Sequence, residues 1–319
     1  MSNQARPIEF ASGGITCRGL FFEGRGESLR GDAGLPCVVI AHGFGGTVDA
    51  GLEAYGHRFA DAGMHALAFD YRHFGTSDGE PRQLISIGSQ LADWAAAIAY
   101  ARSLPGVDAD RIALFGTSFS GGHVVEVAVA DGRVAAVVSQ CPMMDGLAAL
   151  KNIAGYGALL QVLQLTWAGL DDLARSLIGL SPRMVPIVGP PGSLAAMTTP
   201  DAEPGYRAIA PPGFRNEVCA RICLGVGAYR PGLKADRLPC PILVCACEKD
   251  SVAPVEAAKD AVRRAGALGH LKLYPIGHFD IYVGEHFERA VTDQISFLRV
   301  QLAPAETSAP AAEPSARTG

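Results

Sequence analysis

The run Phe115-Gly116-Thr117-Ser118-Phe119-Ser120-Gly121-Gly122 sets one serine among small residues. It follows the apolar run 112–115 and leads into a segment of helical character. A serine in such a strand-to-helix turn is pushed out of the sheet into strained backbone. Its neighbours must be small because strand and helix approach closely there. That setting suits a nucleophile whose hydroxyl is activated by a base. The run departs from G-x-S-x-G at Ser120, with Gly121 and Gly122 following at once. A plainer reading makes Ser118 a helix cap.

Three further segments offer what attack by Ser118 would require. His42-Gly43-Phe44-Gly45-Gly46 follows the apolar run 37–41. A developing oxyanion needs two N–H groups aimed at it. One is expected from the residue after the nucleophile, Phe119, and the other from this first loop, at Phe44. Asp250, in Glu248-Lys249-Asp250-Ser251-Val252-Ala253-Pro254, stands just past the apolar run 242–245, where it can hold an imidazole in the useful tautomer. His278, in Tyr274-Pro275-Ile276-Gly277-His278-Phe279-Asp280, sits in a turn after the last strand and can serve as general base. Asp145 also follows a sheet strand and competes with Asp250. Ser120 falls inside the expected helix, and His123 lies further along it. His270 and His286 lie in or beside expected elements, away from the strand-end turn.

The elements that must position these residues alternate. Two short strands meet at Gly13-Gly14. Buried strands are expected at 37–41, 66–70, 112–115, 135–139 and 242–245, and a further strand at 271–274. Helices are expected at about 50–62, 84–104, 120–131, 254–266 and 284–300. This predicts an α/β fold, with a mostly parallel central sheet covered by helices on both faces. The alternation breaks over 143–236, where helix-like pieces (146–165, 168–179, 214–228) flank a Pro/Gly-rich stretch at 182–212, with no buried strand. Residues 1–142 and 237–302 then form the core, 143–236 an inserted helical cap, and 303–319 a disordered tail.

The totals exclude other classes. The 319 residues are 49% hydrophobic and 18% charged, with net charge −5. No basic run suggests nucleic acid, and no stretch is long and apolar enough to span a membrane. No secretory leader is read at the N-terminus, so the expected location is the cytoplasm. The cysteines Cys17, Cys37, Cys141, Cys219, Cys223, Cys240, Cys245 and Cys247 mostly fall in apolar runs and read as buried reduced thiols. Cys219 and Cys223 are spaced to share a helix face, and Cys245 and Cys247 a strand face. Neither pair finds a second pair with metal-site spacing, so no metal and no cofactor is expected.

With these motifs in order the chain resembles an α/β-hydrolase. HGFGG, GTSFSGG, EKDSVAP and GHFDIY follow the family's sequence of segments. Residues 69–79 resemble the DYRGFGxSxG loop of the serine-aminopeptidase-like and lysophospholipase-like branch, with His73 where that branch has glycine. Within the branch, GTSFSGGHV, CP-x-x-DG and GHFDIY are similar to segments of uncharacterised bacterial hydrolases and of fungal polyketide transferases and thiohydrolases. The resemblance covers about 7–142 and 237–302. It implies a serine hydrolase with Ser118, His278 and Asp250 as catalytic residues and Phe44 and Phe119 at the oxyanion hole, acting on a small-molecule acyl ester or thioester through an acyl-enzyme. Acyl transfer by the same residues, or peptide cleavage, are the alternatives. A non-catalytic binding module would be expected to lose one of the three residues. Peptide cleavage would want an acidic group for the substrate amine, and Asp171, Asp172, Asp201, Glu203 and Glu217 are candidates. The apolar stretch Leu159, Leu160, Val162, Leu163, Leu165, Trp167 reads as an acyl pocket, as packing onto the core, or as the face of a homodimer.

Overall fold

Alternation inside the apolar runs dictates the layers. In β3 (Leu35–Ala41) Val38 and Ile40 point to one face, and Cys37, Val39 and Ala41 to the other. All five are fully buried, so both faces must be covered. In this computed structural model, which describes residues 5–155 and 159–304, α1 (Leu52–Asp61) and α9 (Gly284–Gln301) cover the first face. They do so through Tyr55, Phe59, Val291 and Leu298. The second face is covered by α2 (Ile87–Ser103), α3 (Phe119–Asp131) and α8 (Val255–Ala265), through Trp94, Ile98, Val124 and Ala258. The tail expected at 303–319 lies outside the described residues from 305 onward, as does the side chain of Leu159.

Among the described residues the main sheet has eight strands. Their order is β1 (Arg6–Ser12), β2 (Ile15–Phe22), β4 (His65–Phe69), β3, β5 (Val107–Thr117), β6 (Ala136–Gln140), β9 (Ile242–Cys247) and β10 (Gly269–Tyr274). β2 is antiparallel to both β1 and β4, and the remaining pairs are parallel. The chain leaves β3 in one direction to build β4, then crosses to the other side to build β5. Such a reversal opens a crevice at the carboxyl ends of the two strands, where open α/β sheets bind ligands. Ala41 pairs with Gly116, so the HGFGG loop and the Ser118 turn leave the sheet side by side.

The segment between β6 and β9 contains α4 (Gly146–Gly155), α5 (Leu159–Leu177), α6 (Ala202–Ile209) and α7 (Ile222–Gly225). α5 runs unbroken across 166–167, where a break between two helices was expected, and the segment departs from expectation in three further places. Two-residue strands β7 (Met184–Val185) and β8 (Val218–Cys219) pair antiparallel, with Val185, Val218 and Cys219 buried. The helix expected at 214–228 shrinks to α7 and a short 3-10 turn. Side chains hold its first half extended: Asn216 bonds both the N–H and the carbonyl of Val188, and Gln83 donates to the carbonyls of Arg215 and Glu217. Cys219 therefore ends a strand and shares no helix face with Cys223. Finally, α6 forms inside the Pro/Gly-rich stretch. The apolar contacts of Leu165, Val185, Tyr206 and Ile222 run without a break into the core beneath α2 and α3.

Candidate active site

Ser118 sits between β5 and α3 with φ 56 and ψ −117. A non-glycine residue is strained there and persists only where its surroundings hold it. Its side chain makes no capping bond to α3, which removes the plain helix-cap reading. The small neighbours are explained by contact. A Cβ on Gly116 would lie 2.2 Å from the Ser120 carbonyl oxygen, and one on Gly121 2.8 Å from Pro142 Cβ. Ser120, at the departure from G-x-S-x-G, is fully buried. Its hydroxyl meets Tyr71 Oη at 2.6 Å, and Trp94 Nε1 donates to Tyr71 Oη at 2.7 Å. The departing residue thus ties α3 to the loop after β4 and to α2. In that loop His73 keeps φ 73, so the side chain that replaces glycine still adopts a glycine-type backbone.

The structure brings Asp250 and His278 to Ser118. His278 Nε2 lies 3.0 Å from Ser118 Oγ, and His278 Nδ1 lies 2.6 Å from Asp250 Oδ2. The side chains of His278 and Asp250 are each 2% exposed. Asp250 Oδ1 accepts from the N–H groups of Val252 (2.9 Å) and Ala253 (2.6 Å), which aims Oδ2 at the imidazole. The loops carrying the acid and the histidine are laced together by Lys249 N–H to the Ile276 carbonyl at 3.0 Å.

Asp145, the rival acid, goes elsewhere. Its Oδ1 caps α4 by accepting from Leu147 and Ala148 N–H, and its Oδ2 pairs with Arg230. Partial burial pushes its carboxyl up, but Arg230 and the two N–H groups outweigh this and hold it below the ordinary value. His123 is fully buried between Tyr229 Oη (2.7 Å) and Gln90 Oε1 (3.0 Å). Burial, with a smaller contribution from His42, drives its pKa down to about 3, so it is a neutral packed residue. Burial likewise lowers His42, which packs edge-on against Tyr71. His270 and His286 are exposed on β10 and α9.

The HGFGG loop fits closely over the serine. A Cβ on Gly43 would lie 2.8 Å from Ser118 Cβ. The Phe44 and Phe119 rings meet edge to face at 5.6 Å. Phe119 opens α3, so its N–H belongs to the first turn, whose N–H groups have no acceptor within the helix. Three supports were not read from the sequence. Tyr206 of α6 donates its hydroxyl to the Phe44 carbonyl at 3.0 Å. Ser251, next to Asp250, donates to Asp201 at 2.5 Å and leaves its carbonyl to Asn152. Tyr282 meets Thr117 Oγ1 at 2.5 Å, pinning the histidine loop to the elbow. Of these residues the sequence reading singles out only Asp201, as a possible amine-binding acid. Its carboxylate is given to Ser251 and makes no cap.

Beside Ser118 lies an apolar cavity of about 140 Å³, walled by Phe44, Phe119, Met143, Val162, Leu165 and Val226. A second, smaller cleft of about 30 Å³ at Ser118 is lined by His42, Tyr206, His278 and Tyr282. A larger groove of about 680 Å³ runs past Arg18, Arg82 and Arg215 and touches none of Ser118, Asp250 or His278. All five acidic residues considered for a substrate amine are engaged within the chain. Asp171 pairs with Arg175, Asp172 with Arg221, Glu203 with Arg207, Glu217 with Arg215, and Asp201 with Ser251. The cysteines are buried except Cys223, which is half-buried; burial pushes Cys141, nearest the serine turn, up to about 12. Among the described residues no helix is long and apolar enough to cross a membrane, and no group of three or more His, Cys, Asp or Glu is placed to hold a metal.

Comparison with known proteins agrees with this architecture. The family described as serine aminopeptidase, S33, matches residues 35–201. The chain is 44% identical to the quorum-quenching protein AidA of Acinetobacter baumannii, over 92% of this chain and 93% of that one. It is 25% identical to the thiohydrolase aneE of Aspergillus aculeatus, over 88% of this chain and 90% of that one. The crystal structure of the α/β-hydrolase GrgF from Penicillium sp. superposes with a TM-score of 0.77 at 24% identity, covering 94% of this chain and 99% of that one, a likeness of fold. Sequence and architecture together place the chain in the serine aminopeptidase S33 family of α/β-hydrolases.

Proposed function

We propose that this protein is a serine hydrolase that cleaves a small-molecule acyl ester or thioester through an acyl-enzyme. The observation that carries the reading is His278, which bridges Ser118 Oγ and Asp250 Oδ2 with both partners within hydrogen-bond distance. In the mechanism His278 Nε2 takes the Ser118 proton as Oγ attacks the acyl carbonyl. Asp250 keeps Nδ1 protonated and stabilises the imidazolium. The N–H groups of Phe44 and Phe119 receive the oxyanion, each worth roughly 10²–10³ in rate by analogy with other oxyanion donors. His278 then protonates the leaving alkoxide or thiolate, and water, deprotonated by the same imidazole, resolves the acyl-enzyme.

The segment 143–236 acts as a cap over the core formed by 1–142 and 237–302, with the apolar cavity beside Ser118 as the acyl site. Esters and thioesters are favoured over peptides because the candidate amine-binding carboxylates are already paired. The names of the relatives cited above, a quorum-quenching protein and a thiohydrolase, support including quorum signals and acyl thioesters in the substrate panel.

The test uses p-nitrophenyl esters of increasing chain length and a fluorophosphonate probe. Ser118→Ala is expected to lose turnover by roughly 10⁴–10⁶ and to lose labelling. Undiminished turnover in that variant would overturn the assignment. Activity independent of chain length would overturn the acyl site. Product analysis with added alcohols separates hydrolysis from acyl transfer, which uses the same residues.

A further inference from the structure

α5 is apolar on two opposite sides. Its inner side, with Leu165, Ala168 and the Asp172 anchor, is buried. Its outer side carries Leu160, Leu163, Trp167, Leu170, Ala174 and Leu177, all exposed. The spacing is 3, 4, 3, 4, 3, the a/d repeat of a seam that packs against another helix. The five large residues of this stripe are between 54% and 79% exposed. With Ile178 and Leu180 just beyond the helix, the stripe exposes on the order of 900 Å², about what one partner contributes to a standard interface and well beyond an ordinary surface patch.

We propose that this stripe is a self-association seam, in which two copies of the chain pack α5 against α5, antiparallel about a two-fold axis near Leu170. The stripe is self-complementary in that arrangement. Leu163 meets Leu177 of the partner subunit, and the large Trp167 lies over the small Ala174 of the partner subunit. A two-fold interface demands such reciprocity. Two other occupants fit worse. Residues 305–319 contain no Leu, Ile, Val, Phe, Met, Trp or Tyr, and so supply no knobs for the seam. An anionic membrane surface wants a basic rim. α5 has one basic residue, Arg175, which is paired with Asp171, and the chain is net negative.

The experiment is sedimentation velocity on the full chain over a wide concentration range, beside the double variant Leu163→Glu/Leu170→Glu. The wild type is expected at twice the chain mass. The double variant is expected at the chain mass, with an unchanged circular dichroism spectrum and unchanged p-nitrophenyl acetate turnover. A second arm oxidises Leu170→Cys, which sits at the axis and is expected to give a disulfide-linked dimer. The native thiols are buried apart from half-buried Cys223, so the unmutated chain is the control. A wild type that stays monomeric, or a well-folded double variant that stays dimeric, overturns the proposal. If the double variant misfolds, failure of Leu170→Cys to cross-link overturns it. Wild-type monomer that floats with phosphatidylcholine vesicles would assign the stripe to lipid instead.

Discussion

The two oxygens of Asp250 have separate tasks, one held by two backbone N–H groups and the other turned to His278. Asp145 has the same local wiring, with two N–H groups on one oxygen, yet its second oxygen meets Arg230. Asp250→Asn should lower kcat by about 10⁴ by favouring the wrong imidazole tautomer. Asp145→Asn should leave kcat unchanged and cost about 1 kcal/mol in a urea melt, the worth of a partly exposed ion pair, since Asn can keep the cap of α4. Comparable losses in both variants would return Asp145 to contention. Gly43 gives a second residue-scale expectation. A methyl there would sit 2.8 Å from Ser118 Cβ, so Gly43→Ala must displace the serine or the loop. A misplacement of about 1 Å costs roughly 10²-fold in kcat, measurable at saturating p-nitrophenyl ester. Ser118, Asp250 and His278 could be singled out as candidates because each follows a sheet strand within a few residues. The preference for Asp250 over Asp145 was not settled by the residues alone. Both follow strands, and the difference lies in Arg230, 85 residues away in sequence.

At the scale of elements, the inner strands could be read because burial on both faces gives continuous apolar runs, as in β3, β6 and β9, and helices fill the gaps between them. α6 and the β7–β8 pair could not. Their backbone is held by distant side chains, as Asn216 holds Val188 and Ser251 occupies Asp201, and no local period records such bonds. α6 is nevertheless the element that reaches the HGFGG loop. Tyr206→Phe removes one hydroxyl bond to the Phe44 carbonyl while keeping the ring stacked on Phe214. Loss of a bond worth about 1 kcal/mol should lower kcat roughly fivefold with little change in melting temperature. An unchanged kcat would show that the loop holds its shape without α6.

Across the whole molecule, stability should fall in acid partly through His123, which joins α3 to Tyr229 of the segment between β6 and β9. Its folded pKa is depressed to about 3, so between its unfolded value near 6.5 and that point only the unfolded chain binds the proton. Stability is therefore fully present above about pH 6.5 and is lost as pH falls. The slope approaches about 1.4 kcal/mol per pH unit for this one group. Urea unfolding from neutral to mildly acidic pH should show a steeper decline in the wild type than in His123→Gln; equal slopes would contradict it. The apolar packing runs without a break from the sheet into the segment between β6 and β9. That joining has a mechanical side as well. α6 cannot swing outward without releasing the Phe44 carbonyl, and the Asp250 loop is leashed to the same helix start through Ser251 and Asp201. One tug on α6 would thus be felt on both sides of Ser118 at once, by Phe44 and by the loop of Asp250.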